Sequence, residues 1–305
     1  MKKIAISVGD LNGIGIEIAI RSHTEITKFC EPIYCIDEEM LLQASKLLNL
    51  AISSEMILQN THESFVIKPR VIDAKSGAYS FASFKKALQL VQEKKADAVC
   101  TLPIHKEAWS LAGIDYKGHT EYLREFTGEG AIMVLGCEDL YVALFTEHIA
   151  LKDVAKKINV KNLVEFFTLL NEKMRRERIG VLGLNPHAGD NGVIGLEEVI
   201  IERAIDIVNS KIGKNVFHGV LVPDTAFTPN SLKHYNTIVA MYHDQGLAPL
   251  KALYFEESIN ISISRKIIRT SVDHGTAMDI AYKNARPSTK SYLNAVKAAT
   301  KQINF

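Results

Sequence analysis

No stretch of this 305-residue chain approaches the ~20 consecutive apolar residues that a membrane-spanning helix needs. Net charge is nearly absent too, with 36 Lys and Arg standing against 35 Asp and Glu. The first lack excludes a helical membrane protein. The second removes the basic excess or stripe by which a general nucleic-acid binder or anionic-membrane binder attracts its partner. Any anion bound here must be held by a few placed cations, not by a global field. Cysteine is scarce as well. Cys30, Cys35, Cys100 and Cys137 have no CxxC spacing, and each lies in or beside an apolar, strand-like run. Buried, reduced thiols are expected, in keeping with a cytoplasmic protein. The start, Met1-Lys2-Lys3 and then apolar residues, reaches Gly9-Asp10 after only about five apolar positions, short of the ~7–15 of an export signal. No internal repeat, low-complexity segment or linker stands out.

What is present is an ordinary globular composition, 47% hydrophobic and 23% charged, in a chain long enough for two α/β lobes. Strands alternate with helices from end to end. Apolar runs predict strands at 3–8, 33–36, 96–102, 179–184, 219–222, 237–241, 259–264 and 267–271. Spacing near 3.6 predicts helices at 14–21, 38–50, 81–95, 160–175, 196–212, 276–283 and 289–302. Residues 131–135 and 141–145 flank the polar turn Glu138-Asp139 and read as an antiparallel hairpin. Such alternation implies an α/β fold with an open, mostly parallel sheet. One lobe is expected from both chain ends and the other from the middle.

In such folds ligands bind at strand ends and in the loops that follow, and the unusual residues of this chain concentrate there. The first loop, Gly9-Asp10-Leu11-Asn12-Gly13-Ile14-Gly15, opens a helix, so its amides could face an anion. It is not GxGxxG and lacks the Lys-Ser/Thr of a P-loop, which favours a tight turn. Three histidines end apolar runs: His148 in Leu144-Phe145-Thr146-Glu147-His148, His187 in Leu184-Asn185-Pro186-His187-Ala188-Gly189, and His243 in Tyr242-His243-Asp244-Gln245-Gly246. Three neutral imidazoles around one divalent ion, with a position open to substrate, make a catalytic metal site. The alternative is three structural histidines, since no local spacing marks a metal site. In Gly118-His119-Thr120-Glu121, a helix cap at Thr120 accounts for Thr120 and Glu121 but not for His119. Lys251, Asn260 and Arg269 spread two cations and an amide over successive elements, as phosphate or carboxylate recognition requires; solvated charge is the plainer reading. Asp273-His274-Gly275-Thr276-Ala277-Met278-Asp279 turns a strand into a predicted helix, and its small residues permit close approach by a flat ligand.

Taken together, these segments closely resemble the 4-hydroxythreonine-4-phosphate dehydrogenase family of pyridoxal phosphate biosynthesis. The resemblance runs from Val8-Gly9-Asp10 through Gly118-His119-Thr120-Glu121, Thr146-Glu147-His148, Pro186-His187-Ala188-Gly189, Pro223-Asp224-Thr225 and Tyr242-His243-Asp244-Gln245-Gly246-Leu247 to Arg269-Thr270-Ser271-Val272-Asp273-His274-Gly275-Thr276-Ala277. The last segment is also similar to the cofactor loop of isocitrate and isopropylmalate dehydrogenases. The resemblance implies their two-lobed α/β/α fold, with mostly parallel sheets and a cleft between the lobes.

It further implies that His148, His187 and His243 bind a divalent metal (Zn, Mg or Co). His119, Thr120, Lys251, Asn260 and Arg269 are expected to hold substrate, and His274, Gly275, Thr276, Ala277 and Asp279 to hold NAD or NADP. A homodimer with the active site at the subunit interface is implied as well. Two departures stand out. The family's first loop usually reads Gly-Asp-Pro-x-Gly-Ile-Gly-Pro-Glu, and Leu11 and Ile16 replace both prolines, which should loosen the turn. After Asp279 the family commonly has Ile-Ala-Gly, and Tyr282 stands in place of that glycine.

The implied reaction is oxidation and decarboxylation of 4-phosphooxy-L-threonine to 3-amino-2-oxopropyl phosphate. A metal lowers the alcohol's pKa and stabilises the enolate left when CO2 departs, so a modest base suffices. Asp244, Lys251 and Asp224 are the candidate bases, in that order. The competing expectations are a related dehydrogenase of another 4-phosphorylated sugar acid or a dihydrodiol, and a non-dehydrogenase α/β protein with structural histidines.

Overall fold

Short apolar runs become strands buried on both faces, and the helices between them cover those faces. The computed structural model describes residues 1–302 of the chain. In chain order the first stretch holds β1 (Lys3–Ser7), α1 (Gly15–Ile26), β2 (Glu31–Cys35), α2 (Glu38–Leu48), β3 (Ile57–Leu58), α3 (Ala74–Gln92), β4 (Ala98–Thr101), α4 (Lys106–Leu111) and α5 (His119–Thr127). The middle holds β5 (Ile132–Cys137), β6 (Leu140–Leu144), α6 (Val154–Lys157), α7 (Val160–Met174), β7 (Ile179–Leu182), α8 (Glu197–Ile212), β8 (Phe217–Leu221), α9 (Pro229–Leu232), β9 (Thr237–Ala240) and α10 (His243–Tyr254). The chain then returns as β10 (Ile259–Ile263), β11 (Ile268–Val272) and α11 (Lys290–Gln302).

These elements group into two compact units. The first comprises Met1–Ala131, Ile259–Ser262 and the chain from Lys266 onward; the second comprises Ile132–Ser258 with Ile263–Arg265. In the first unit the strand order is β3-β2-β1-β4-β11-β10, with β1 parallel to β2 and β4, and β11 parallel to β4. The period-2 alternation of a strand decides which helix each side chain meets. Ala5, Ile33, Cys35 and Val99 face Phe84 and Leu88 of α3 and Trp109 of α4. Tyr34, one residue from two of them, faces the other way, and its hydroxyl pairs with His23 Nδ1 of α1 at 3.1 Å.

In the second unit the order is β5-β6-β9-β7-β8. The β5–β6 hairpin is antiparallel, in agreement with the sequence pattern, and the pairs β6–β9, β9–β7 and β7–β8 are parallel. Leu135, Val142, Leu144, Ile238 and Ala240 pack with Leu247 and Leu250 of α10. Aromatic contacts of Phe167 with Phe217 and of Phe145 with Phe166 join α7 to the strands.

Two helical expectations are corrected. Residues 276–283 form turns rather than a helix, with left-handed backbone at Ala277 (φ 43°) and Tyr282 (φ 59°). Helix α3 begins at Ala74, well before the predicted 81: Asp73 accepts from the Lys75 amide at 2.7 Å as a cap, and a Cβ on Gly77 would lie 2.1 Å from the Ala108 carbonyl oxygen of α4. Close helix packing there outweighs the weak helix propensity of Ser76 and Gly77. Residues 243–254 are helical despite Gly246 and Pro249. Gly246 lets α10 sit on its sheet, since a Cβ there would come within 2.4 Å of Val142 Cγ1 and 2.8 Å of Ala240 Cβ.

Candidate functional site

In the first unit, parallel pairing sets Arg269 of β11 opposite Val99 of β4, so Arg269, Val99 and Thr101 share one face. The Arg269 side chain reaches Thr101, whose Oγ1 accepts from Nε at 3.0 Å and from Nη2 at 2.7 Å. Nη1 donates to Ser262 Oγ at 3.4 Å, and Nη2 also donates to His119 Nδ1 at 3.2 Å. Arg269 is only 4% exposed, yet each of these partners is neutral and no carboxylate among the described residues pairs with it. Burial lowers the guanidinium pKa to about 10, so it stays charged at neutral pH.

His119 opens α5 because Gly118 before it adopts φ 154° and ψ −176°, a conformation essentially reserved for glycine. Gly118 therefore occupies the cap position, and Thr120 is the second residue of the helix rather than its cap. Glu121 accepts from the Lys117 amide. The His119 ring is walled edge-on by Phe84 at 4.6 Å and Trp109 at 5.5 Å, and Trp109 is fixed by donating Nε1–H to Ser80 Oγ at 2.7 Å. Burial first, and the Arg269 charge second, push the His119 pKa well below the ordinary value, so the ring is neutral. A neutral imidazole that accepts at Nδ1 carries its proton on Nε2. That Nε2 is buried without a partner, and so is Oδ1 of Asn260 on β10. An uncompensated guanidinium and an unused N–H donor are what an anionic group needs. Thr101 was not anticipated from sequence, although a hydroxyl closing the apolar run 96–102 at a parallel strand's carboxyl end was a usable signal.

The first loop lies against the segment that follows β11. Ile14 N–H donates to the Thr276 carbonyl at 3.0 Å, and Gly13 is so close that a Cβ would fall 2.8 Å from Thr276 Cβ. Tyr282 O–H donates to the Leu11 carbonyl at 2.6 Å. Asp10 is buried, accepting from the Asn12 amide and Ser76 Oγ, and burial raises its pKa. The loop thus spends its polar groups on its neighbours and buttresses 274–277. His274 turns Nδ1 toward the Gly275 carbonyl at 3.0 Å and leaves Nε2 buried without a partner; Thr276 is buried and Asp279 exposed.

In the second unit the three histidines follow the carboxyl ends of β6, β7 and β9. Thr146 donates Oγ1–H to the Met241 carbonyl at 2.6 Å, drawing the chain after β6 alongside the chain after β9. This brings the rings of His148 and His243 to a centroid distance of 5.4 Å. His243 Nδ1 lies 2.7 Å from Asp244 Oδ1, the carboxylate–imidazole pairing that orients a metal ligand. His187 is exposed within an unbroken left-handed run, with φ 52°, 51°, 75°, 45° and 54° over residues 187–191. Such backbone costs about 1–2 kcal/mol at each non-glycine position and clusters at functional sites. Glu198 braces it, accepting from the Leu184 and Asn185 amides. Among the described residues of one chain, no group of three or more His, Cys, Asp or Glu gathers to hold a metal. His148 and His243 are thus the two of the three imidazoles shown in contact. Asp224 is exposed after β8, and Lys251 lies on α10 with Nζ over the Phe255 ring at 5.9 Å.

Residues 28–299 match the family described as pyridoxal phosphate biosynthetic protein PdxA. The chain is 58% identical to a 4-hydroxythreonine-4-phosphate dehydrogenase from Sulfurimonas denitrificans, over 97% of this chain and 96% of that one. It is 47% identical to one from Helicobacter pylori, over 97% and 98%. Among solved structures, a 4-hydroxythreonine-4-phosphate dehydrogenase from Burkholderia phymatum superposes with TM-score 0.83 at 32% identity, covering 99% of this chain and 98% of that one.

Proposed function

The chain belongs to the PdxA family of pyridoxal phosphate biosynthetic proteins, and from that premise we propose that it is a 4-hydroxythreonine-4-phosphate dehydrogenase, a cytoplasmic oxidoreductase that acts with NAD or NADP and a divalent metal. The observation that carries this reading is Arg269, a buried guanidinium with only neutral partners beside the unpartnered Nε2–H of His119. A phosphate or carboxylate placed there takes up both donors and compensates the charge. Because every donor is held before substrate arrives, little orientational entropy is lost on binding. Thr120 and Asn260 are the remaining polar groups of that unit assigned to substrate.

His274, Gly275, Thr276, Ala277 and Asp279 are assigned to the nicotinamide cofactor, which accepts the hydride when bound. The buttressed backbone and the unpartnered His274 Nε2 support that assignment. His148, His187 and His243 are assigned to the metal, which when bound supplies Lewis-acid stabilisation to the reacting oxygens. Asp244 holds His243 in one tautomer, and the lack of a three-ligand cluster among the described residues of one chain supports a homodimer in which a second copy completes each set. Asp244, Lys251 and Asp224 are the groups available to take the hydroxyl proton. Assay of the purified protein with 4-phosphooxy-L-threonine, NAD or NADP, and Zn, Mg or Co tests the reading. Reduced cofactor, CO2 and 3-amino-2-oxopropyl phosphate in equal amounts are expected; no turnover with any combination would overturn it.

A further inference from the structure

The arrangement around β4 gives one residue a role that the substrate-contacting groups do not cover. Thr101 Oγ1 accepts two N–H groups of the same guanidinium, Nε at 3.0 Å and Nη2 at 2.7 Å. Two bonds from adjacent nitrogens to one oxygen fix both the rotation and the reach of a planar fork, which a single bond would leave free. The consequence passes to the next residue. With Nη2 held, its second N–H points at His119 Nδ1, 3.2 Å away. A permanently charged donor on Nδ1 forces the ring to accept there, and therefore to carry its proton on the buried, unpartnered Nε2.

We propose that Thr101 is a positioning residue, which clamps Arg269 and through it sets the tautomer of His119, so that Nε2–H and the guanidinium face the substrate anion as preformed donors. The inference rests on the anion-site reading of His119 and Arg269. Ser262, at 3.4 Å from Nη1, touches the other arm and does not duplicate the clamp. The Phe84 and Trp109 rings prevent His119 from swinging away, so the tautomer is the freedom left for Thr101 to decide.

The test compares Thr101→Val, which keeps the branched shape and removes the acceptor, with Thr101→Ser, which keeps the acceptor. In apo enzyme labelled with [15N]histidine, with His119 assigned from a His119→Asn spectrum, the wild type should show bare Nδ1 and protonated Nε2. Thr101→Val should show a mixed tautomer and a KM for 4-phosphooxy-L-threonine raised about ten- to a hundredfold, with the KM for nicotinamide cofactor unchanged. Thr101→Ser should restore both. A wild-type tautomer and KM in Thr101→Val would overturn the proposal. So would equal defects in Thr101→Ser and Thr101→Val that track a lowered melting temperature, because the hydroxyl would then matter only for packing. Titration of wild type with inorganic phosphate separates this from the underlying reading: an unmoved His119 Nε2 signal sinks the anion site, while the tautomer comparison still decides the clamp.

Discussion

Tyr282 donates its phenolic hydrogen to the Leu11 carbonyl at 2.6 Å, tying the segment that follows β11 to the first loop of the chain. These are two of the positions at which the sequence departs from the family pattern, and they meet each other. Tyr282 adopts φ 59°, a conformation natural to the glycine commonly found there, and its side chain is half-buried. The strain of a left-handed tyrosine is offset by a hydrogen bond that a glycine could not make. A turn lacking proline at position 11 is thereby fastened from outside.

Removing only that hydroxyl should leave the Leu11 carbonyl without its donor. Tyr282→Phe is expected to cost about 1–3 kcal/mol in urea unfolding and to weaken nicotinamide binding, measured by quenching of protein fluorescence. Unchanged stability would show that water replaces the bond.

Arg269→Lys keeps a charge but loses the fork that meets Thr101 and His119 together. KM for the phosphorylated substrate should rise about ten- to a hundredfold while cofactor KM stays near wild type. Parallel losses for both ligands would point to a disturbed fold.

His119 has a folded-state pKa depressed below its unfolded value of 6.5, by burial and then by Arg269. The folded protein thus binds fewer protons than the unfolded chain once the pH falls below that value. The stability contribution is complete above about pH 6.5 and is lost as pH falls toward the depressed pKa. Urea midpoints measured from pH 8 to 5 should decline below 6.5, and less steeply in His119→Asn. His23, also depressed by burial, should add to that slope, and Asp10, raised by burial, should oppose it.

All four cysteines are free and buried, with burial raising Cys30 and Cys100 to about 12. Thiol reagents at pH 8 should label none of them in the native protein and all four in urea, as read by mass spectrometry. Rapid native labelling of any one would contradict the packing.

His187→Ala and His243→Ala should each bind less metal without unfolding, because both side chains lie toward the surface. If a second copy completes each set of ligands, a purified heterodimer of the two variants should recover part of the activity lost by each. Failure of every pairing among His148, His187 and His243 variants would place each site within one chain.

The sequence determined the alternation of strands and helices, the hairpin at 132–144, and the placement of the polar motifs just past apolar runs. Those features depend on the local periodicity of side chains and on burial of β-branched runs, which neighbours in sequence suffice to specify. The tertiary structure decided what could not be local. Residues 276–283 carry a helical pattern, yet contacts to the first loop hold them as turns. Helix α10 survives a glycine and a proline because Gly246 must lie against Val142 and Ala240. Thr101 acquires its role from the register of β11 against β4, which sets Arg269 on its face from 168 positions away. The contact of His148 with His243 likewise follows from the pairing of β6 with β9. A sequence shows that three histidines end three strands, but only the packing of those strands decides which rings meet.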